Sequence, residues 1–206
     1  MQTAVVPSET GALPRLRRWV LPDAADAVRR AKPVGMRLAL GTEEGEHLAT
    51  VFVRDGETRE DRRVALLEAS LLGAALDAAT LVCVTGAGIG LRSRGEAEAP
   101  GAPKDDRYRG LVSIQMDDRM PGVQGVCWLY RSLGHRDVLF ERDPAGPGEP
   151  MLDVPGDISQ ALSAAFLPGL PGSLAALSIP RYTSLLVGRG HTVLLDPARP
   201  SRVVRR

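Results

Sequence analysis

The clearest pattern in the chain is an amphipathic stretch followed at once by an uninterrupted apolar run. Over residues 58–77, apolar side chains recur every three or four positions, which predicts a helix with one buried face. Thr58 is a suitable N-cap, and Asp61 three residues later completes a capping box. The run "TLVCVT" at 80–85 has no polar alternation, which is typical of a strand buried on both faces.

Shorter patterns predict further elements on both sides of this unit. The predicted helices are 23–31, with Asp23 as N-cap, and 157–167; the predicted strands are 35–41, 46–56, 111–116 and 136–142. Residues 126–134 fit a helix or a strand, and 168–180 at most a short helical turn. Residues 183–197 predict a terminal hairpin around Gly188 and Gly190. A strand, a helix and a strand in succession indicate the α/β class.

The 206 residues suit one domain. We expect a flexible N-terminal arm at 1–22, a single α/β domain at 23–197 and a basic tail at 198–206. Breaker-rich sequence predicts two long loops within the domain, at 92–110 and 143–156. The expected architecture is a mixed sheet flanked by helices, with a C-terminal antiparallel hairpin.

Three glycines at alternate positions, Gly86, Gly88 and Gly90, follow the apolar run. Glycines are needed where backbone N–H groups must approach an anion closely. A loop at the carboxyl end of a buried strand is also where α/β folds bind ligands. Leu91 stands where the dinucleotide fingerprint has Gly or Ala, and no clear helix follows. The stretch is therefore either an anion cradle or a glycine-rich turn.

Over about a dozen residues, the segment "LVCVTGAGI" resembles the cofactor loop of sirtuin deacylases. Gly90 occupies the place of the family's serine, and the segment of type IPDFR that follows in the family is absent. The chain also lacks the family's His-Gly pair and zinc cysteines. The resemblance therefore does not assign the chain to that family.

Two acidic residues and an arginine are candidates to assist the glycine stretch. If the strand at 111–116 is parallel to the strand at 80–85, Asp117 and Asp118 lie at the same sheet edge as the glycines. They would then either hold Mg²⁺ beside a phosphate or cap a turn. Arg92, in the polar insert, either closes over an anionic ligand or belongs to a solvated loop.

A second candidate site is a thiol centre. The segment Gln-Gly-Val-Cys-Trp around Cys127 resembles the nucleophile segment of papain-like and transglutaminase-like enzymes. The resemblance implies Cys127 as nucleophile, with His191 as base and Asp196 orienting it. The alternative is that Cys127 is a small buried apolar residue.

Composition limits the classes of partner and the cellular setting that we expect. The formal charge is +1, which argues against the clustered basic surface of a nucleic-acid-binding protein. There is no apolar stretch of membrane-spanning length and no secretory signal. With two cysteines outside any CxxC pair, neither a zinc site nor a disulfide scaffold is expected, and a cytoplasmic setting is the default. No particular cofactor is indicated, and the oligomeric state stays open.

Three functions follow as hypotheses. The first is a domain that binds a nucleotide or another small phosphate-bearing anion at the glycines, assisted by the acidic pair or Arg92. The second is a thiol hydrolase or acyltransferase built on Cys127 and His191. The third is a non-catalytic assembly or interaction protein, indicated by the absence of a complete catalytic signature.

Overall fold

The computed structural model describes residues 11–54, 58–88, 109–132, 138–146, 148–151, 156–166 and 172–197. The helices are α1 (Ala12–Arg17), α2 (Leu21–Arg29), α3 (Arg59–Ala75), α4 (Gly156–Ser163) and α5 (Gly172–Gly188). A 3-10 turn, Ala164–Phe166, follows α4. The strands are β1 (Arg37–Gly41), β2 (His47–Phe52), β3 (Thr80–Gly88), β4 (Arg109–Asp117), β5 (Met120–Ser132), β6 (Val138–Phe140), β7 (Glu149–Met151) and β8 (Thr192–Leu195).

The described strands form one sheet in the order β6-β5-β4-β3-β1-β2-β8, with β7 also paired to β5. Every pairing is antiparallel, so the prediction of a mixed sheet is wrong. The strand–helix–strand unit from β2 through α3 to β3 does run both strands in one direction. However, β1 lies between them and is antiparallel to each, which removes any parallel pair.

Strand β3 has apolar side chains on both faces, as the sequence predicts. Leu81 and Cys83 belong to the core beneath α3, whereas Val82 and Val84 belong to the core beneath α1 and α2. The sheet is thus covered on both sides, with α3, α4 and α5 on one face and α1 and α2 on the other. This arrangement confirms the α/β class and the flanking helices.

The start of α3 confirms the predicted capping box. The Thr58 hydroxyl accepts a hydrogen bond from the Asp61 N–H at 3.1 Å, and the Asp61 carboxylate accepts one from the Thr58 N–H at 3.2 Å. The Thr58 hydroxyl also donates to the Asp61 carboxylate at 2.6 Å, and the hydrogen bonds that this carboxylate accepts from the Thr58 hydroxyl and N–H lower the pKa of Asp61. The strands predicted at 35–41 and 46–56 are present as the antiparallel pair β1 and β2, each slightly shorter than expected.

The N-terminal region differs from the prediction of a flexible arm at 1–22. Residues 1–10 lie outside the described residues, but α1 packs Leu13 and Leu16 into the core. Helix α2 begins at Leu21 with Val20 as N-cap, so Asp23 is not the cap. Asp23 instead lies 3.1 Å from the guanidinium of Arg37. The prolines suggested an irregular arm, but Pro22 lies in the first turn of α2. The N–H groups of that turn have no partner within the helix, so the N–H that proline lacks costs no hydrogen bond.

The predicted C-terminal hairpin is wrong, because residues 172–188 form α5 in place of its first strand. Leu186, which is fully buried, anchors this helix in the core beside α3. Burial therefore overrides the exposed Pro180 inside the helix. Gly190, with φ of 86°, ends α5 in a Schellman motif: its N–H donates to Val187 O at 2.8 Å, and that of His191 donates to Leu186 O at 3.0 Å. Strand β8 then pairs with β2.

The remaining expectations have mixed outcomes. Residues 126–132 belong to strand β5, and 149–151, expected in a loop, form β7. Most of the insert at 92–110 and the whole tail at 198–206 lie outside the described residues. Within the described part of the chain, no helix is long and apolar enough to cross a membrane.

Candidate functional site

The structure places the predicted glycine cradle inside the sheet. Strand β3 continues through Gly86 and Gly88, which pair with Leu111 and Arg109 of β4. Gly86 also lies against Val34, where an added Cβ would meet the Val34 Cβ at 3.2 Å. These two glycines are therefore ladder residues, while Gly90 and Arg92 lie outside the described residues.

The acidic pair lies at the other end of β3. Because β4 is antiparallel to β3, Asp117 pairs with Thr80, about 26 Å along the strand from Gly88. Asp117 accepts hydrogen bonds from Arg119 at 3.0 and 3.1 Å, and these lower the pKa of its carboxyl group. The pKa of Asp118 is raised, by burial and by the Asp117 charge. The structure does not bring either carboxylate to the glycines.

Among the residues that the structure describes, no further side chain joins the acidic pair as a metal ligand. Nowhere in the described segments do three His, Cys, Asp or Glu side chains group as a metal site would require.

The structure also separates the members of the predicted thiol centre. Cys127 is buried in β5, and His191 is buried beside β8, with four strands between them. The hydrogen-bonding spacing of strands puts them about 24 Å apart. His191 Nδ1 accepts a hydrogen bond from the Arg54 N–H at 3.1 Å. Asp196, at the far end of β8, exerts its charge on His47.

Both thiols are expected to resist alkylation in the native protein. Cys83 is fully buried, which raises its pKa to about 12, and Cys127 is only 5 % exposed. Thiolate is the reactive species, so iodoacetamide near pH 6 should label neither until denaturant is added. Mass spectrometry of the two cysteine peptides measures this. Rapid native labelling of Cys127 alone would support a thiol enzyme and contradict the burial described here.

A cavity of about 290 Å³ lies between α1, α2 and the turn after β6. Its lining combines three arginines, one aspartate and six apolar residues: Pro14, Arg17, Arg18, Leu21, Pro22, Ala25, Arg29, Asp143, Pro144 and Ala145. The volume is at the lower end of the range for small-molecule sites. The lining includes no Ser, Cys or His, so it favours binding over nucleophilic catalysis.

The turn at 143–146 forms one wall of the cavity, and Trp128 of β5 holds this turn in place. The Trp128 indole N–H donates a hydrogen bond to Gly146 O at 3.2 Å, and the ring is almost fully buried. The turn itself closes through Ala145 N–H to the Asp143 carboxylate at 2.9 Å and Gly146 N–H to Asp143 O at 2.9 Å. A buried strand residue thus positions the loop that faces α1 and α2.

Two of the arginines lie over aromatic rings. The Arg17 guanidinium carbon is 5.2 Å from the centre of the Trp128 ring, and that of Arg29 is 5.8 Å from the centre of the Phe140 ring. Such cation–π contacts favour defined guanidinium positions. Arg29 also bonds Asp26 at 3.1 Å.

Arg18 completes the set of cationic lining residues. Its side chain is exposed, and among the described residues none accepts a hydrogen bond from it. The lining as a whole carries three positive charges and one negative charge.

The sequence interpretation missed this site. The segment "PRLRRWVLPDAADAVRR" contains all three arginines, but its prolines suggested an unstructured arm up to residue 22, so only Arg29 fell in a predicted helix. One feature of the sequence could have indicated the site. Apolar residues, among them Leu13, Leu16 and Val20, form two short stripes that basic residues interrupt. A helix pair with a basic surface fits that spacing.

Comparison with known proteins adds no identification. The chain matches no protein-family model, and neither a curated protein nor a solved structure shows significant similarity to it.

Proposed function

We propose that this protein binds a small phosphate-bearing ligand in the cavity between α1, α2 and the turn at 143–146. The observation that supports the proposal most strongly is the convergence of Arg17, Arg18 and Arg29 on one cavity. This keeps the ligand class expected from the sequence and moves its site from the glycines to the arginines.

The chemistry of the lining narrows the ligand. Guanidinium groups present planar arrays of donors that match phosphate oxygens in bidentate pairs. The apolar lining residues favour a ligand with an uncharged body attached to that phosphate. A phosphate monoester with one ring, such as phenyl phosphate or a mononucleotide, has both parts.

Calorimetric titration of the full chain with phenyl phosphate, AMP and inorganic phosphate tests the proposal. We expect the esters to bind more tightly than inorganic phosphate. Binding should weaken as salt is added, because the attraction is between charges near the surface. If none of the three binds, or if affinity does not depend on salt, the proposal fails.

Arginine variants locate the binding. Arg18→Gln and Arg29→Gln should each weaken the binding of phenyl phosphate by about tenfold or more, since each removes a charged hydrogen-bond donor. Arg15→Gln is the matched control, because Arg15 lies on α1, three residues before Arg18, but does not line the cavity. An equal loss in the control, or no loss in the two cavity variants, would contradict the site.

A further inference from the structure

The cavity between α1, α2 and the neighbouring turn carries opposite charges on its two walls. Arg17, Arg18 and Arg29 belong to the helical wall, whereas Asp143 belongs to the turn. In the part of the chain that the structure describes, none of these arginines forms an ion pair with Asp143, and Arg29 is paired with Asp26 at 3.1 Å. The cavity therefore keeps its positive and negative groups apart.

The Asp143 carboxylate has hydrogen-bonding capacity that the described residues do not use. Its Oδ1 accepts the Ala145 N–H at 2.9 Å, and no other donor within the described segments bonds to this carboxylate. An ionised carboxylate offers about four lone-pair sites, so most of them stay available. The turn is held in place by the bond from Trp128 to Gly146. Asp143 is thus a positioned acceptor in the lining of the cavity.

This acceptor restricts the ligands that suit the cavity. A ligand whose only charged group is a phosphate is repelled by the carboxylate, because like charges in one small cavity oppose each other. A protonated amine at the other end of the ligand instead donates charge-assisted hydrogen bonds to the carboxylate. The apolar part of the lining suits an uncharged ring between the two groups. Phosphate at the arginines and ammonium at the turn together match both walls.

From these features we propose that the ligand is an amine-bearing phosphate monoester, with its phosphate on the arginines and its ammonium group on Asp143. This inference rests on the phosphate site proposed above and adds the chemistry of the ligand's other end. Asp143 is exposed, so its contact with the ammonium group resembles a surface ion pair. Such a pair corresponds to a gain in affinity of about two- to fivefold.

Two esters of nearly equal shape test the inference. Tyramine O-phosphate and p-propylphenyl phosphate differ only in an ammonium group that replaces a terminal methyl group. Calorimetric titration of the full chain should show that the amine ester binds about two- to fivefold more tightly. Asp143→Asn keeps an acceptor for the Ala145 N–H and should abolish this preference. Glu141→Gln is the matched control, because it removes a nearby charge that does not line the cavity, and it should keep the preference.

The outcomes separate this inference from the phosphate site itself. If neither ester binds, the phosphate site is wrong and the inference fails with it. If both esters bind the wild type equally, or if Asp143→Asn keeps the preference, only the role of Asp143 is contradicted. Circular dichroism checks that both variants fold. If Asp143→Asn does not fold, amide chemical shifts of the wild type decide: the spectra with the two esters should differ most at 143–146, and differences concentrated at 14–29 overturn the inference.

Discussion

Gly45→Ala is expected to lower the free energy of unfolding by about 3 kcal/mol or more, and Tm by about 6–12 °C. Gly45 lies in the turn between β1 and β2 with φ of 77°, a conformation that other residues rarely adopt. An added Cβ would also overlap the Ala12 carbonyl of α1. Helix α1 would therefore have to move away from the sheet.

Gly188→Ala is the control for this prediction. Gly188 ends α5, and an added Cβ there would meet no atom within 4 Å. Its Tm should stay within a few degrees of the wild type. Thermal denaturation followed by circular dichroism compares the two variants. A Gly45→Ala protein as stable as Gly188→Ala would contradict the packing of α1 against the β1–β2 turn.

Trp128→Ala is expected to cost about 3–5 kcal/mol of stability and to weaken phosphate-ester binding. The Trp128 ring is 1 % exposed, bonds the turn at Gly146 and lies beneath Arg17. Its removal leaves a void in the core and releases one wall of the cavity. Trp128→Phe should be intermediate, because it keeps most of the packing and loses the bond to Gly146.

Trp19→Ala is the matched control for Trp128→Ala. Trp19 is 56 % exposed and stacks on His47 with ring centres 4.1 Å apart, so its loss should cost less than about 1 kcal/mol. Chemical denaturation measures the free energies of unfolding, and calorimetry the binding. Similar costs for the two tryptophan variants would contradict the burial of Trp128 beneath α1 and α2.

The elements that could be predicted from the sequence are those that depend on residues close together in the chain. The Thr58–Asp61 capping box acts within one helical turn, and the apolar run at 80–85 indicates burial on both faces without reference to any other strand. The two apolar runs on either side of Gly45 likewise predicted strands β1 and β2. Each of these depends on residues close together in the chain.

The errors arose where distant contacts decide the structure. Nothing near β3 reveals that β1 pairs beside it, so the sequence could not exclude a parallel partner and placed Asp117 at the wrong end of the strand. Helix α5 survives Pro180 because of its packing against α3, which no local propensity encodes. The arginine-lined cavity depends on a turn more than a hundred residues away from α1.

The most direct test of the ligand site is the location of the amide chemical-shift changes when phenyl phosphate is added to the ¹⁵N-labelled full chain. We predict that the largest changes fall on residues 14–29 of α1 and α2 and on the turn at 143–146. Changes concentrated instead at Gly86 and Gly88, or around Asp117, would contradict the arginine-lined cavity as the site.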